Sequence, residues 1–173
     1  MENAADRRIF SGALVGVVVL DFFTKLLAEA HLPHTIGRRV VGDWFQLRLV
    51  YNPGAAFGLD VGPYSRWVFF VVAMVAVGLL YRMSRNTPPG ESFRQLALGL
   101  VCGGALGNLI DRVRSAQGVV DFLDFGVGAY RWPTFNVADM AVSCGAIALA
   151  ISLWRDDAAE PKPEPSSSST PAA

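Results

Sequence analysis

Charged residues are scarce in this sequence. Only 17% of its 173 residues are Asp, Glu, Lys or Arg, whereas 52% are hydrophobic. A soluble core in a chain of this length does not need so large an apolar share, so the composition indicates a membrane protein. Acidic and basic residues balance, and Lys and Arg are scattered rather than clustered. This distribution gives no electrostatic footprint for nucleic acid, and we expect no nucleic-acid partner.

Cysteine and histidine are rare as well, with two residues of each. Cys102 and Cys144 lie among small apolar residues, without CxxC spacing and without a His nearby in sequence. These neighbours predict helix-packing residues rather than metal ligands. His31 and His34 fall in an expected loop, where we interpret them as surface residues. We therefore expect no metal ion and no cofactor.

Four long apolar stretches predict four transmembrane helices. Two of them are shorter than the ~20 residues that cross the hydrocarbon core, but arginines at their ends can extend them by reaching the interface. An even number of spans places both termini on one side, and the scattered arginines favour a cytoplasmic side only weakly. The four Trp residues fall near the expected interfaces and predict an aromatic belt. The stretches are Ile9 to Leu27, Trp67 to Tyr81, Gln95 to Ile110 and Val137 to Trp154.

A cleaved signal peptide is the alternative interpretation of the first stretch. A basic pair at 7–8, an apolar run at 12–20 and a small-residue triplet at 28–30 imitate its three regions. Asp21 and Lys25 lie between the run and the triplet, and this position favours a retained helix.

The loop after the first stretch contains a strand pattern. Apolar residues alternate with polar ones from Phe45 to Tyr51, and Asn52-Pro53-Gly54 then predicts a turn. We expect residues 38–60 to form an extracytoplasmic loop with a small β-sheet on the bilayer surface. Residues 1–155 are predicted to be one domain. From Asp156 to Ala173 the chain is rich in Pro, Ser and acid, which predicts a disordered cytoplasmic tail.

The first apolar stretch contains an acid and a base. Asp21 and Lys25 are four residues apart, so they share one face of a helix, with the acid in the favoured N-terminal position. We interpret them as an ion pair that supports the helix end, rather than as groups with a direct chemical role.

The third apolar stretch ends in a polar face. Asn108, Asp111 and Arg112 have the i, i+3, i+4 spacing of one helix face. Upstream, Gly103 and Gly107 have the small-xxx-small spacing that lets a neighbouring helix approach closely. We interpret Asp111 as part of an interfacial salt bridge with Arg112. The guanidinium is always charged and donates in a fork, so it is also suited to orient a substrate carbonyl or carboxylate.

Two aspartates lie beside apolar stretches. Asp121 is in an expected loop just outside one, and Asp139 opens the fourth, three residues after a potential capping residue, Asn136. Carboxylates at membrane depth are costly and by default mark function. Either aspartate alone would be ordinary, but the pair, accompanied by Asn52, Asn108 and Asn136, predicts an acid/base site. Three other acids lack such accompanying polar residues and are predicted to be solvated in loops: Asp43, Asp60 and Asp124.

The polar residues fall in five short blocks, which are Asp21-Phe22-Phe23-Thr24-Lys25, Asn52-Pro53-Gly54-Ala55-Ala56-Phe57, Gly107-Asn108-Leu109-Ile110-Asp111-Arg112, Val119-Val120-Asp121-Phe122 and Phe135-Asn136-Val137-Ala138-Asp139. In this order, the blocks resemble those of the lipoprotein signal peptidases, or signal peptidase II. The resemblance implies a membrane-embedded aspartic endopeptidase in which Asp121 and Asp139 are catalytic. It also implies a surrounding set of supporting residues: Asp21, Lys25, Asn52, Gly54, Asn108, Asp111, Arg112 and Asn136.

The same resemblance implies the reaction and the location. Such enzymes cut the signal peptide from prolipoproteins on the N-terminal side of a diacylglyceryl-modified cysteine. We therefore expect a multi-pass protein of the bacterial inner membrane, with cytoplasmic termini and a site near the extracytoplasmic face. The expected partners are lipid-modified prolipoproteins and membrane lipid, and the expected state is a monomer.

Two other functions are compatible with buried charge. A small proton or ion conductor would use Asp21, Lys25, Asp111 and Asp139 as relay groups. An inert assembly subunit would need only the Gly-rich helix faces. The conductor does not account for Asp121 outside the membrane or for the strand-forming loop, and the peptidase is the preferred hypothesis over both.

Overall fold

The computed structural model describes residues 2–34, 36–54 and 61–159. Four helices make up most of this part: α1 (Glu2–His31), α2 (Ser65–Asn86), α3 (Ser92–Arg114) and α4 (Val137–Ala159). All four are long and apolar enough to cross a membrane, which confirms the four predicted spans. Each helix extends beyond its apolar stretch. In particular, α4 continues through 156–159, a segment that the sequence placed in a disordered tail, while 160–173 lie outside the described residues.

Helix α3 is the centre of the bundle and contacts the other three helices. Close packing with α1 is possible because glycines face it. A Cβ atom on Gly99 would lie 2.6 Å from the Phe10 carbonyl oxygen, and one on Gly103 would lie 2.9 Å from the Leu14 carbonyl oxygen. The predicted packing role of Gly103 is therefore correct, and that of Gly107 extends to leaving room for the Asp21 carboxylate.

A four-stranded antiparallel sheet covers one end of the bundle. Its order is β1 (Arg38–Val41), β2 (Phe45–Asn52), β3 (Val119–Val127) and β4 (Tyr130–Arg131). The sequence predicted a small sheet in the loop between α1 and α2, but the loop between α3 and α4 supplies half of its strands. Successive residues of β3 are buried on both faces, so this strand lacks the alternation that revealed β2.

The sheet is fixed to the bundle by a small apolar core. Ala28 and Leu32 at the end of α1 pack against Leu49, Val120 and Phe122 of the sheet. Pairing between β2 and β3 sets Val50 opposite Asp121 and Asn52 opposite Val119. As a result, a predicted loop aspartate lies on a strand, held beside both a helix end and the Asn52 turn.

The fold also tests the predictions for the loop acids and for the two cysteines. Asp124 is 3% exposed and accepts a hydrogen bond from Arg131 Nε at 2.9 Å, so its interpretation as a solvated loop acid is wrong. Asp43 is exposed as predicted, and Asp60 lies outside the described residues. Cys102 is buried in helix packing, but Cys144 is exposed on α4, where the packing interpretation fails.

Candidate active site

A buried ammonium group ties α1 to α3. Lys25 Nζ lies 2.7 Å from Asp21 Oδ2, 2.8 Å from Asp111 Oδ2 and 2.8 Å from Asn108 Oδ1. An ammonium group has three protons, and these three acceptors can take all of them. The predicted Asp21 to Lys25 ion pair therefore exists, and it belongs to a larger buried cluster.

The two carboxylates bound to Lys25 also fix neighbouring elements. Asp21 Oδ1 accepts a hydrogen bond from the Ala138 amide at 2.8 Å, which satisfies a free amide at the start of α4. Asp111 Oδ2 accepts one from the Val120 amide at 3.1 Å and so positions the start of β3. The salt-bridge partners of Asp111 are Lys25 and Arg114 rather than the predicted Arg112. Asp21, Lys25 and Asp111 are buried, whereas the Arg114 side chain is 26% exposed.

Asp139 is held in the first turn of α4. Its Oδ1 accepts a hydrogen bond from Asn108 Nδ2 at 2.8 Å, and its Oδ2 accepts one from the Asn136 amide at 3.2 Å. In return, the Asp139 amide donates to Asn136 Oδ1 at 2.9 Å. This reciprocal arrangement is a capping box, so the residue that the sequence marked as a potential cap performs that role.

Asn136 connects the second carboxylate to the first. Its Nδ2 donates to Asp121 Oδ1 at 2.7 Å and to Asn108 Oδ1 at 3.0 Å. Asp121 Oδ2 accepts a further hydrogen bond from Asn52 Nδ2 at 3.2 Å. A fully buried amide therefore contacts both aspartates and orients them within one network.

The electrostatic environment of Asp121 favours its protonated form. Burial away from water, and then the charge of Asp139, raise the pKa of the Asp121 carboxyl to about 7, while hydrogen bonds from Asn52 and Asn136 oppose this shift. Near neutral pH, this carboxyl is therefore poised to take up or release a proton.

Arg112 joins the Asn52 turn to α3. Its Nη2 donates to the Gly54 carbonyl at 2.8 Å, and its Nη1 donates to the Asn108 carbonyl at 3.1 Å. The Gly54 amide in turn donates to Asn52 Oδ1 at 3.0 Å. The buried Nε of Arg112 has no hydrogen-bond partner within the described part of the chain. Arg112 thus forms part of the wall of the site and ties the Asn52 turn to α3.

A cavity of about 560 Å³ opens beside the two aspartates. Its polar end is formed by Asp121 and Asp139 together with Asn52, Asn108 and Arg112. From there it continues along α4 over a mainly apolar wall. This wall comprises Val119, Trp132, Pro133, Phe135, Met140 and Val142, with Thr134, Ser143 and Cys144 beside it.

Within residues 2–34, 36–54 and 61–159, no group of three or more His, Cys, Asp or Glu side chains is arranged to hold a metal ion.

All the site residues singled out in the sequence therefore meet in one region, either at the cavity or in the cluster behind it. The sequence missed Arg114, which donates to Asp111 Oδ1 at 2.8 Å and to Glu29 Oε2 at 2.9 Å. It also missed the backbone amides of Val120 and Ala138. An arginine three residues after Asp111 was the available signal for Arg114, whereas the amides depend on the tertiary fold.

Four membrane-length helices, and a cavity with paired carboxylates at its polar end, define a multi-pass membrane protein with an acid/base site. The chain belongs to the signal peptidase (SPase) II family, whose sequence model matches residues 3–155. It is accordingly a peptidase of the A8 aspartic type and a multi-pass protein of the bacterial inner membrane. Family membership favours the predicted hydrolase over the ion conductor and the inert subunit.

Similar proteins cover four-fifths or more of the chain. The lipoprotein signal peptidase of Oleidesulfovibrio alaskensis is 40% identical over 143 residues, which are 80% of this chain and 90% of that protein. The lipoprotein signal peptidase of Nitratidesulfovibrio vulgaris is 39% identical over 161 residues, 91% and 93% of the two chains. A solved bacterial membrane enzyme superposes with a TM-score of 0.78 at 30% identity, covering 88% of this chain and 91% of its own.

Proposed function

We propose that this protein removes the signal peptide of prolipoproteins by cutting on the N-terminal side of a diacylglyceryl-modified cysteine, with Asp121 and Asp139 as the catalytic pair. The observation that carries this proposal is the Asn136 side chain. Its Nδ2 donates to Asp121 Oδ1, and its Oδ1 accepts from the Asp139 amide. The Asn136 backbone amide donates to Asp139 Oδ2, so this one residue holds both carboxylates at the polar end of one cavity.

The proposed chemistry follows from two carboxylates that share one proton near neutral pH. A water molecule adds its oxygen to the scissile carbonyl carbon while the ionised aspartate takes its proton. The protonated aspartate donates a hydrogen bond to the developing oxyanion. When the C–N bond breaks, a proton passes to the amine nitrogen. The products are the carboxyl group of the signal peptide and the free amino group of the lipidated cysteine.

The shape of the cavity supports a lipidated substrate. Its apolar wall runs along α4 and reaches Met140 and Cys144, which are exposed on the outer surface of that helix. In a bilayer, lipid tails occupy this outer surface. Acyl chains attached to the cysteine can therefore remain in the lipid while the peptide bond beside them reaches the aspartates.

The proposed topology places both termini in the cytoplasm and the site at the extracytoplasmic face. The site and the sheet lie at one end of the bundle, where α1 and α3 end and α4 begins. The Asn52 turn, which Arg112 holds against α3, forms part of the cover over the site. Phe57, also expected in this cover, lies outside the described residues. We further propose that the enzyme acts as a monomer, since both aspartates and the asparagines that bind them come from one chain.

The substrate proposal is tested with one precursor in two forms. Purified protein in lipid vesicles is incubated with a diacylglyceryl-modified prolipoprotein and with the same precursor lacking the lipid, and mass spectrometry locates the cut. We expect cleavage only of the modified form, directly before the modified cysteine. Equal cleavage of both forms would contradict the requirement for lipid, and a cut elsewhere would contradict the assigned bond.

A further inference from the structure

Glu29 and Arg114 do not line the catalytic cavity, but a series of contacts connects them to the elements that form it. Arg114 Nη1 donates to Glu29 Oε2 at 2.9 Å, and Arg114 Nε donates to Asp111 Oδ1 at 2.8 Å. The other oxygen of Glu29, Oε1, accepts a hydrogen bond from the Tyr51 hydroxyl at 3.3 Å. Polar side chains of α1, α3 and β2 are therefore joined in one series.

The sheet closes this series into a ring. Asp111 Oδ2 accepts a hydrogen bond from the Val120 amide at 3.1 Å, and Val120 on β3 is paired with Tyr51 on β2. Each member therefore contacts the next, and the last is paired with the first. We call Tyr51, Glu29, Arg114, Asp111 and Val120 the polar ring. It connects two helices to the two central strands of the sheet.

The polar ring includes the residue that precedes Asp121. The peptide groups on both sides of Val120 are held, since its amide donates to Asp111 and its carbonyl accepts a hydrogen bond from Asn136 Nδ2 at 3.2 Å. The backbone that carries the Asp121 side chain therefore has one attachment to α3 and one to the cap of α4. The position of the Asp121 carboxyl depends on both attachments.

Arg114 fixes the orientation of the Asp111 carboxylate. Lys25 and the Val120 amide both bind its Oδ2, whereas Arg114 binds its Oδ1. A carboxylate held at one oxygen can turn about its Cβ–Cγ bond, and a contact at the second oxygen prevents this rotation. Glu29 binds the same guanidinium at another nitrogen, and because the guanidinium is planar, these two carboxylates set its plane. Glu29 and Arg114 together therefore determine where the acceptor of the Val120 amide lies.

The exposed part of the polar ring adds orientation rather than much stability. The Arg114 and Glu29 side chains are 26% and 23% exposed, and ion pairs that water reaches contribute little to the free energy of unfolding. Tyr51 stays a hydrogen-bond donor near neutral pH, because burial and then the charge of Glu29 raise the pKa of its phenol. The contact between Tyr51 and Glu29 can therefore persist at the pH at which the catalytic pair shares a proton.

We propose that Glu29 and Arg114 are positioning residues for the cleavage reaction. Acting through Asp111 and the Val120 amide, they hold β3 so that the Asp121 carboxyl keeps its place in the catalytic pair. The inference rests on the proposed function, in which Asp121 takes part in catalysis. Because Glu29 and Arg114 act on the enzyme's own backbone, their removal should affect turnover rather than substrate affinity.

Steady-state cleavage of a diacylglyceryl-modified prolipoprotein tests this role. Arg114→Gln should lower kcat by about tenfold and leave KM unchanged, because a shift of about 1 Å in a reacting group can cost up to about 100-fold in rate. Arg114→Lys keeps the charge and a donor, so it should recover part of kcat. A rise in KM at unchanged kcat would mean that Arg114 binds the substrate. That result, or two unchanged constants, would overturn the proposal.

A matched control and a double variant sharpen the kinetic test. Arg39→Gln removes an exposed ion pair with Asp43, whose Nε and Oδ1 atoms are 3.1 Å apart, and it should leave both constants unchanged. Glu29→Gln should lower kcat less than Arg114→Gln does. The double variant should lose no more than Arg114→Gln alone, because Glu29 acts through Arg114. Losses that multiply in the double variant would contradict a single series. Thermal unfolding verifies that every variant is folded at the assay temperature.

Amide hydrogen exchange tests the same anchoring without any assay of cleavage. In isotope-labelled protein followed by NMR in detergent, Arg114→Gln should speed the exchange of the Val120 amide severalfold. The Phe122 amide of the same strand donates to the Phe135 carbonyl at 3.0 Å and should keep its wild-type rate. An unchanged rate at Val120 would overturn the proposal.

The exchange experiment also separates this inference from the proposed function. If the wild-type protein cut no prolipoprotein, the Val120 amide would still show whether Arg114 holds β3. If the wild-type protein cut its substrate while Arg114→Gln changed neither kcat nor the exchange at Val120, the positioning role alone would be wrong.

Discussion

The Lys25 ammonium lies 2.8 Å from Asn108 Oδ1 and determines which end of that amide faces the catalytic pair. An ammonium group only donates hydrogen bonds, so the oxygen of Asn108 must point toward Lys25. The Asn108 Nδ2 group therefore points toward Asp139 Oδ1, 2.8 Å away. Through this amide, a buried charge on α1 controls the orientation of a carboxylate on α4.

Removing the ammonium should destabilise the protein. Lys25→Met leaves the buried Asp21 without its counter-charge and leaves Asp111 with Arg114 alone, and breaking a buried pair costs about 3–5 kcal/mol. Denaturant unfolding in detergent measures the loss. Adding Asp21→Asn to Lys25→Met should recover part of it, because one uncompensated carboxylate is then removed. A single variant as stable as the wild type would contradict this assignment.

Asn136 should matter both for stability and for rate. Asn136→Ala removes the cap of α4 and the 2.7 Å hydrogen bond to Asp121. Loss of a cap costs about 0.5–2 kcal/mol, and the released carboxylates should lower the cleavage rate further. Asn86→Ala, at the exposed end of α2, is the matched control. Unchanged cleavage by Asn136→Ala would mean that the pair does not depend on this amide.

Stability should depend on pH through Asp121. Its pKa is raised from 3.8 to about 7, so between these values the folded protein holds a proton that the unfolded chain has released. The free energy of unfolding therefore falls as the pH rises through this window and levels off above about 7. Asp121→Asn removes this dependence. The variant should be more stable than the wild type at about pH 8, with a smaller difference at about pH 5. Parallel curves for both proteins would contradict the shift.

Loss of the shared proton should also slow catalysis. Because the mechanism needs one protonated carboxyl, the cleavage rate should decline as the pH rises above about 7, where Asp121 loses its proton. The measurement is the initial rate of cleavage against pH, with a separate check that the protein remains folded. A rate that stays constant well above this pH would argue against an acid role for the pair.

The contact between α1 and α3 can be tested with matched glycines. A Cβ on Gly99 would meet the Phe10 backbone at 2.6 Å, whereas a Cβ on Gly12 would meet nothing within 4 Å. Gly99→Ala should destabilise the protein by about 1–3 kcal/mol through overpacking. Gly12→Ala should be neutral or stabilising, because alanine favours a helix more than glycine does. Equal effects in thermal unfolding would contradict the packing.

The residues of the site were more predictable than its scaffold. Apolar runs revealed the four helices, and the spacing of Asn108, Asp111 and Arg112 placed them on one face, because helical periodicity is a local property. The strand that carries Asp121 was not predicted, since its burial on both faces removes alternation. The burial of Asp124 was equally hidden, because Arg131 reaches it only after β3 and β4 pair.

The salt-bridge partners of Asp111 differ from the predicted Arg112 for a similar reason. Adjacent residues on a helix point in different directions, so Arg112 faces the Gly54 turn while Asp111 faces Lys25. Sequence spacing identified both residues as part of the site. Only the packing of α1 and of the turn against α3 decided which group each one meets.

The central claim is that Asp121 and Asp139 together perform the cleavage, and the most direct measurement is turnover of a diacylglyceryl-modified prolipoprotein in lipid vesicles. Wild type, Asp121→Asn, Asp139→Asn and the exposed control Asp43→Asn are compared after equal insertion has been verified. We predict that wild type and Asp43→Asn cleave at similar rates, while each of the other two variants loses cleavage. Robust turnover by either Asp121→Asn or Asp139→Asn would contradict the catalytic pair.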